Sequence, residues 1–281
     1  MAYGFLDIAA TPSVKAAQAE NGSLDLWSTA GKNRAFDRFG DAEAAFIASR
    51  DSFYMATVSQ TGWPYLQHRG GPAGFLKVLD DKTLGFADFR GNRQYISLGN
   101  LKADDRVSLF LMDYPRRARL KIFMATVSQT GWPYLQHRGG PAGFLKVLDD
   151  KTLGFADFRG NRQYISLGNL KADDRVSLFL MDYPRRARLK IFARAEMRDL
   201  AADADLAERL ALPDYRAKVE RAMLFHLEAF DWNCPQHITP RFTEAEISGA
   251  VEPLRQELRE LKAENDRLRA ELAALGAGAG H

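Results

Sequence analysis

The sequence predicts an α+β fold, mainly β: helices at the N-terminus, a small antiparallel barrel segment present twice, and one long C-terminal helix. Three observations carry that prediction. A 69-residue stretch, residues 55–123, recurs residue for residue as residues 124–192. Inside it, short apolar runs flank Thr61-Gly62-Trp63 and Asp80-Asp81-Lys82, the spacing of hairpins. Beyond Thr243 the apolar residues alternate spacings of four and three, the seam of a heptad helix.

The duplication governs how composition is read. Repeats that evolved to stack have periods of roughly 20–50 residues and drift apart in sequence; this one is longer, occurs twice and shows no drift. It reads as a recent or engineered tandem duplication inside a single-domain protein, and one copy removed leaves 212 residues. Each copy holds 11 Lys+Arg and 6 Asp+Glu, so the formal net charge of +3 becomes −2 with one copy removed. The basic balance therefore comes from counting one segment twice, and a nucleic-acid partner is not expected. At 46% hydrophobic and 27% charged, the chain can bury a real core. The N-terminus lacks a basic region followed by a long apolar run, and no run approaches the roughly 18 apolar residues of a membrane span. A cytoplasmic protein without a membrane partner is the expectation. The only cysteine, Cys234, excludes an intrachain disulfide and fits a reducing compartment.

Residues 1–54 read as covering helices that lie beside the first copy alone: Thr11-Pro12 starts one and Asn21-Gly22 stops it, and Asp41 precedes AEAAFIASR. In residues 55–123 the strands are MATVSQ, PYLQHRG, FLKVL, TLGFADF, RVSLFLM and RARLKIF, with NRQYISLGNL a short helix and Asp113-Tyr114-Pro115 a turn between the last two strands. Residues 124–242 repeat this set and add what the first copy lacks. There RLKIF runs on as ARAEMRD, helices follow at LAERLAL and YRAKVERA, and MLFHLEAFDWN supplies a closing strand found once. A native-like barrel is therefore expected from the second copy. The first copy would form an incomplete barrel, exchange strands with the second, or face it as an internal dimer. Residues 243–281 form the tail helix, with Thr243 and Glu246 as a capping box and Ile247, Val251, Leu254, Leu258, Leu261, Asn265, Leu268, Leu272 and Leu275 along the seam. The seam points to a parallel two-stranded coiled coil from Leu254 onward, since Pro253 disturbs the first turns; the rival is a helix packed on its own barrel.

Most enzyme templates fail: no P-loop, no GxGxxG after a strand, no GxSxG and no HExxH is present. Cys234-x-x-His237 is too sparse for a four-ligand zinc site. What remains is a set of anion- and ring-binding groups. Gln67-His68-Arg69 ends a strand before two glycines, and Gly91-Asn92-Arg93-Gln94 opens a helical segment where free N–H groups and an Arg favour phosphate. Taken singly, Arg69 and Arg93 read as solvated charges and His68 as a strand histidine.

The run from ATVSQTGWPYLQHRGGP through FLKVLDDKTLGFADFRGNRQYISLGNL to DDRVSLFLMDYPRRARLKI resembles the pyridoxamine 5′-phosphate oxidase-like family of FMN-binding split barrels. It is most similar to the flavin-nucleotide-binding branch, which shares the N-terminal helices and an FTEAEI-type tail. The resemblance implies a split barrel that dimerises with FMN between protomers. It places the phosphate-binding turn at Asn161, Arg162 and Gln163, or Asn92, Arg93 and Gln94. Gln stands where the family has Lys. The strand along the flavin maps to Gln136, His137 and Arg138, or Gln67, His68 and Arg69, with His or Gln as the donor to the ring. The segment closing over the ring maps to Trp232, Gln236 and His237. Residues that hold pyridoxamine phosphate in the true oxidases have no counterpart, so the substrate stays open. The implied activity is an FMN-dependent oxidoreductase working as a homodimer with a nicotinamide or other small redox partner; the rivals are a non-catalytic flavin carrier and a scaffold that assembles without flavin.

Overall fold

Alternating apolar residues become strands here only where a partner edge exists, and the two copies differ in how many edges they find. The computed structural model describes residues 4–30, 37–89, 93–113, 120–212, 215–233 and 237–278. Contacts divide the chain into Met1–Pro240 and Arg241–His281.

In the first unit, helices α1 (Phe5–Ala9), α2 (Pro12–Glu20), α3 (Leu24–Ala30) and α4 (Asp41–Ala48) precede the strands. α2 begins at the Pro after Thr11, and Gly22, at φ 62°, lets the chain leave it. The first copy supplies β1 (Ser52–Val58), β2 (Pro64–Gly70), β3 (Lys77–Val78), β4 (Leu84–Gly85), α5 (Ile96–Ala103) and β5 (Ser108–Phe110). Next come β6 (Leu120–Val127), β7 (Pro133–Gly140), β8 (Lys146–Val147), β9 (Thr152–Phe158), α6 (Ile165–Ala172), β10 (Arg175–Asp182), β11 (Ala187–Arg198), α7 (Ala204–Leu210) and β12 (Val219–Asn233). The sheet order β7-β6-β10-β11-β12-β9-β8 is antiparallel throughout, the half-barrel of a split-barrel α+β fold. The first copy forms the smaller sheet β2-β1-β5 and the hairpin β3-β4.

β6 is the joint between copies. Its first half, LKIF, ends the first copy and its second half, MATV, begins the next. Ile122 and Phe123 thereby take the places that Phe53 and Tyr54 hold in β1, and Phe123 pairs with Phe179 as Tyr54 pairs with Phe110. The same LKIF at residues 189–192 instead lies in β11, between β10 and β12.

Three cores result. Ile122, Phe144, Phe155, Leu178, Ile191 and Phe225 fill the larger sheet. Phe53, Met55, Phe75 and Leu76 pack under Ile47 of α4. Between the copies a third cluster pairs like with like, Ala56 with Ala125 and Leu66 with Leu135, around the stacked rings of Tyr54 and Phe123, 3.5 Å between centroids. Each buried aromatic there stabilises the contact by about 1.5–3 kcal/mol. The pairing is reciprocal: Arg175 donates to the Thr61 carbonyl at 2.5 Å, and its counterpart Arg106 donates to the Thr130 carbonyl. A pseudo-two-fold axis therefore relates the copies, as in an isologous dimer drawn inside one chain.

Three sequence expectations change. YRAKVERA is not a helix: from Val219 it is the start of β12, because Val219 and Arg221 pair with Phe158 and Asp157 of β9. TLGFADF of the first copy is reduced to Leu84–Gly85, since no closing strand lies beside it. Helices α1 and α2 cover the second copy rather than the first: Val14 and Ala9 pack on Ile165. The Asp113-Tyr114-Pro115 turn lies partly outside the described residues.

The second unit is helix α8 (Glu244–Gly278), capped by Thr243, whose Oγ1 accepts from the Glu246 N–H at 3.2 Å while Glu246 accepts from the Thr243 N–H at 2.7 Å. It runs through Pro253, carries the Arg267–Glu264 and Arg259–Glu252 pairs, and exposes Leu254, Leu258, Leu261, Leu268 and Leu272. No helix among the described residues is long and apolar enough to cross a membrane.

Candidate functional site

β7 and β9 run past the turn that opens α6, and the space they enclose is a cavity of about 370 Å³. Five sequence-predicted residues line it: Gln136, His137 and Arg138 from β7, and Asn161 and Arg162 from the turn. The turn is tightly wound, with Arg162 at φ 60° and Tyr164 at φ 52°. Holding non-glycine residues in that region costs about 1–3 kcal/mol each, so surrounding contacts must fix them. They do so from both sides. Inside the turn, Asn161 Nδ2 donates to Gln163 Oε1 at 2.9 Å and the Gln163 N–H donates to Asn161 Oδ1 at 3.1 Å. Outside it, Ser23 Oγ and Trp27 Nε1 both donate to the Arg162 carbonyl at 2.9 Å, and Gln18 Nε2 donates to the Gln163 carbonyl at 2.9 Å. Arg162 returns a bond from Nη2 to the Gly22 carbonyl at 2.6 Å.

The cavity is cationic with acidic ballast. Arg138 lies 3.8 Å from Asp157, Arg221 lies 3.8 Å from the same carboxylate, and Arg159 lies 3.4 Å from Glu220. Glu220 also accepts from Tyr164 OH at 2.9 Å. Burial, reinforced by Glu220, pushes the Tyr164 phenol up, which keeps it a donor. Phe144, Phe155, Phe158 and Leu167 form the apolar wall. The Nε groups of Arg138 and Arg162 are buried without hydrogen-bond partners, unmet donors of the kind that suit an anionic group. Residues of this kind fit a phosphorylated, ring-bearing cofactor.

The same strand end in the first copy meets different neighbours. Lys190 of β11 reaches across to β2, donating to Tyr65 OH at 2.7 Å and to Gln67 Oε1 at 3.0 Å, while Tyr65 OH donates to Gln67 Oε1 at 2.7 Å. Burial, with the nearby Arg188 guanidinium, lowers the Lys190 ammonium to about 8. Burial also raises the Tyr65 phenol above its usual range. Arg69 pairs with Asp88 at 3.0 Å, and Gln94 reaches Asp231 at 3.5 Å. His68 is buried at 3% exposure, edge-on to Tyr54, whereas its counterpart His137 is exposed to the cavity. Arg93 is exposed on the surface.

The predicted closing segment does not join the second-copy cavity. Glu220 lines that cavity, and Trp232 stands 12 residues further along β12, about 40 Å away at the rise of a strand. That end of β12 points toward the first copy. His237 stacks on Phe89 at 5.8 Å and, with Gly71 and Pro72, borders a separate cavity of about 360 Å³. Asn92 and Gln236 lie outside the described residues. Lys190 and Arg188 were not singled out from sequence, because Leu189 and Ile191 claim the core phase of β11 and leave both cations on the outward one. β2 of the first copy, laid against that outward face, turns it inward. Asp157 and Glu220 carried no motif either.

A family model described as pyridoxamine 5′-phosphate oxidase matches the chain twice, over residues 39–123 and 117–232. Among solved structures, HupZ from Group A Streptococcus is 19% identical, covering 44% of this chain and 90% of its own, with a TM-score of 0.30. A protein related to general stress protein 26 from Clostridium acetobutylicum, of the pyridoxinephosphate oxidase family, is 18% identical, with 45% and 87% covered and a TM-score of 0.30. An FMN-binding protein from Syntrophomonas wolfei is 14% identical, with 40% and 75% covered and a TM-score of 0.29. No curated protein matches the chain.

Proposed function

The chain belongs to the pyridoxamine 5′-phosphate oxidase family, and from that premise we propose that it is an FMN-dependent oxidoreductase with one flavin site per chain, in the cavity of the second copy. The observation that carries this reading is the convergence of Gln136, His137, Arg138, Asn161 and Arg162 on one cavity, with two buried arginine Nε groups lacking partners. Arg138 and Arg162 would hold the phosphate, the Asn161–Gln163 turn would fix Arg162, and Gln136, which accepts from Ser166 Oγ at 2.9 Å, would keep its amide donor for the ring. Phe144, Phe155 and Phe158 keep water from the ring-binding wall. A bound FMN supplies one- and two-electron transfer through its ring; the protein supplies binding, orientation and electrostatics. His137, exposed to the cavity, is the group that can carry a proton to or from a substrate.

A second reading has its own support. Asp157 and Glu220 are both tied to arginines, so neither carboxylate of the cavity is free to serve as an acid or base, which favours a flavin carrier that performs no turnover. In either case α8 offers its leucine seam to the same helix of another chain, a coiled-coil homodimer.

The test is the visible spectrum of the purified protein with released flavin quantified per chain, followed by steady-state oxidation of NADH or NADPH with an artificial acceptor. One FMN per chain with turnover supports the oxidoreductase. One FMN without turnover supports the carrier. A protein that stays colourless after FMN is added would sink both and leave a duplicated scaffold.

A further inference from the structure

α5 and α6 share the sequence ISLGNLKA and little else. On α6, Gly168 receives the backbone of α2 so closely that a Cβ there would lie 2.4 Å from Val14 Cα. Ile165 is 1% exposed and packed against Val14 of α2, and Lys171 pairs with Glu20. On α5 the corresponding surface is bare: Ile96 is 40% exposed, and a Cβ on Gly99 would meet nothing within 4 Å.

The receiving geometry is nevertheless already formed. Arg93 and Tyr95 sit at φ 63° and 53°, the same left-handed pair as Arg162 and Tyr164, so the turn whose carbonyls accept from Gln18, Ser23 and Trp27 has its counterpart before α5. Lys102, the counterpart of Lys171, is exposed and of opposite charge to Glu20. The chain thus carries two receptors and one ligand for them.

We propose that the exposed face of α5 is a docking site for a helix–turn–helix segment of the chemistry of residues 11–27, its occupant being that segment of this chain when it is free of α6. Between two full chains an exchange leaves the number of filled receptors unchanged, and tethering gives α6 the advantage of effective concentration. The docking is therefore read with the segment supplied free.

The experiment titrates a fluorescently labelled peptide of residues 4–27 into the full chain and follows anisotropy. Saturable binding of one peptide per chain is expected, weakened about tenfold or more by Gly99→Ala in the protein and by Val14→Asp in the peptide. Gly99→Ala places its Cβ in open space, so its circular dichroism should match that of the parent and its melting curve should lie at or slightly above it, which keeps the result interpretable. Hydrogen exchange should slow in residues 93–103 on peptide addition. Absence of binding at concentrations on the order of 100 μM, or binding indifferent to Gly99→Ala, would overturn the proposal; in the second case the peptide is displacing the resident segment from α6.

Discussion

The residues TLGFADF occur at 83–89 and at 152–158, and they are two different structures. In the second copy all seven form β9, held between β8 and β12, with Phe155 at 2% exposure. In the first copy only Leu84–Gly85 pairs, and Phe86 lies half-buried against Phe53 at 5.2 Å. Local sequence is held constant by the duplication, so the difference belongs to context alone. The context is one strand: β12 exists once and flanks the second copy. β-propensity sets which residues can be a strand, and an available edge sets whether they are. The same lesson holds for α5 and α6, and for His68 and His137, identical residues with opposite exposure.

Paired substitutions turn this comparison into measurements. Phe155→Ala should cost about 3–5 kcal/mol in denaturant unfolding, and Phe86→Ala about 1–2 kcal/mol, because only the first leaves a cavity in a closed core. Equal costs would mean that the first copy closes in solution. Gly168→Ala should destabilise by about 1–3 kcal/mol by driving its methyl into the Val14 backbone. Gly99→Ala should stabilise by about 0.5–1 kcal/mol, since the same helix position is open there. Two shifts of the same sign would break the asymmetry. For cofactor binding, Arg138→Ala should weaken FMN about tenfold, about 1.4 kcal/mol, by fluorescence titration, while Arg69→Ala, whose partner is Asp88, should leave affinity unchanged.

The smallest effect concerns Lys190, which donates to Tyr65 and Gln67 of the first copy. Its folded-state ammonium lies near 8, below its ordinary value of 10.5. Between those values the unfolded chain binds the extra proton, so stability rises with pH from about 8 until Tyr65 opposes it. The Tyr65 phenol is raised when folded, so its contribution is complete below pH 10 and is lost above it. Lys190→Met should flatten the rising part in unfolding curves collected from pH 7 to 10; an unchanged slope would remove Lys190 from the copy interface.

Much of the fold was legible. The Pro12 start and Gly22 stop of α2, the Thr243–Glu246 cap, both short helices and the strands of the second copy follow from local chemistry that the tertiary structure respects. YRAKVERA was misleading because its helical spacing was overruled by pairing with β9 and β11. The site was legible in part: β7 and the α6 turn were found by their donor types, whereas Trp232 and His237 were mapped beside them by the family resemblance, and β12 runs away from the second-copy cavity before the chain reaches them. Lys190 had no local signal, since its importance comes from a strand in the other copy.

β6 sets a rule for where such a repeat can begin and end. Its two halves are joined inside a hydrogen-bonded ladder, so Ile122 and Phe123 must arrive in the same alternation as Phe53 and Tyr54. A break point displaced by a single residue would have moved Phe123 from the cluster between the copies into the core of the larger sheet and Ile122 the other way, since one step along a strand exchanges its faces. Of the possible end points for the copied segment, only those in phase with the pleat join two barrels without a linker, and residue 123 is one of them.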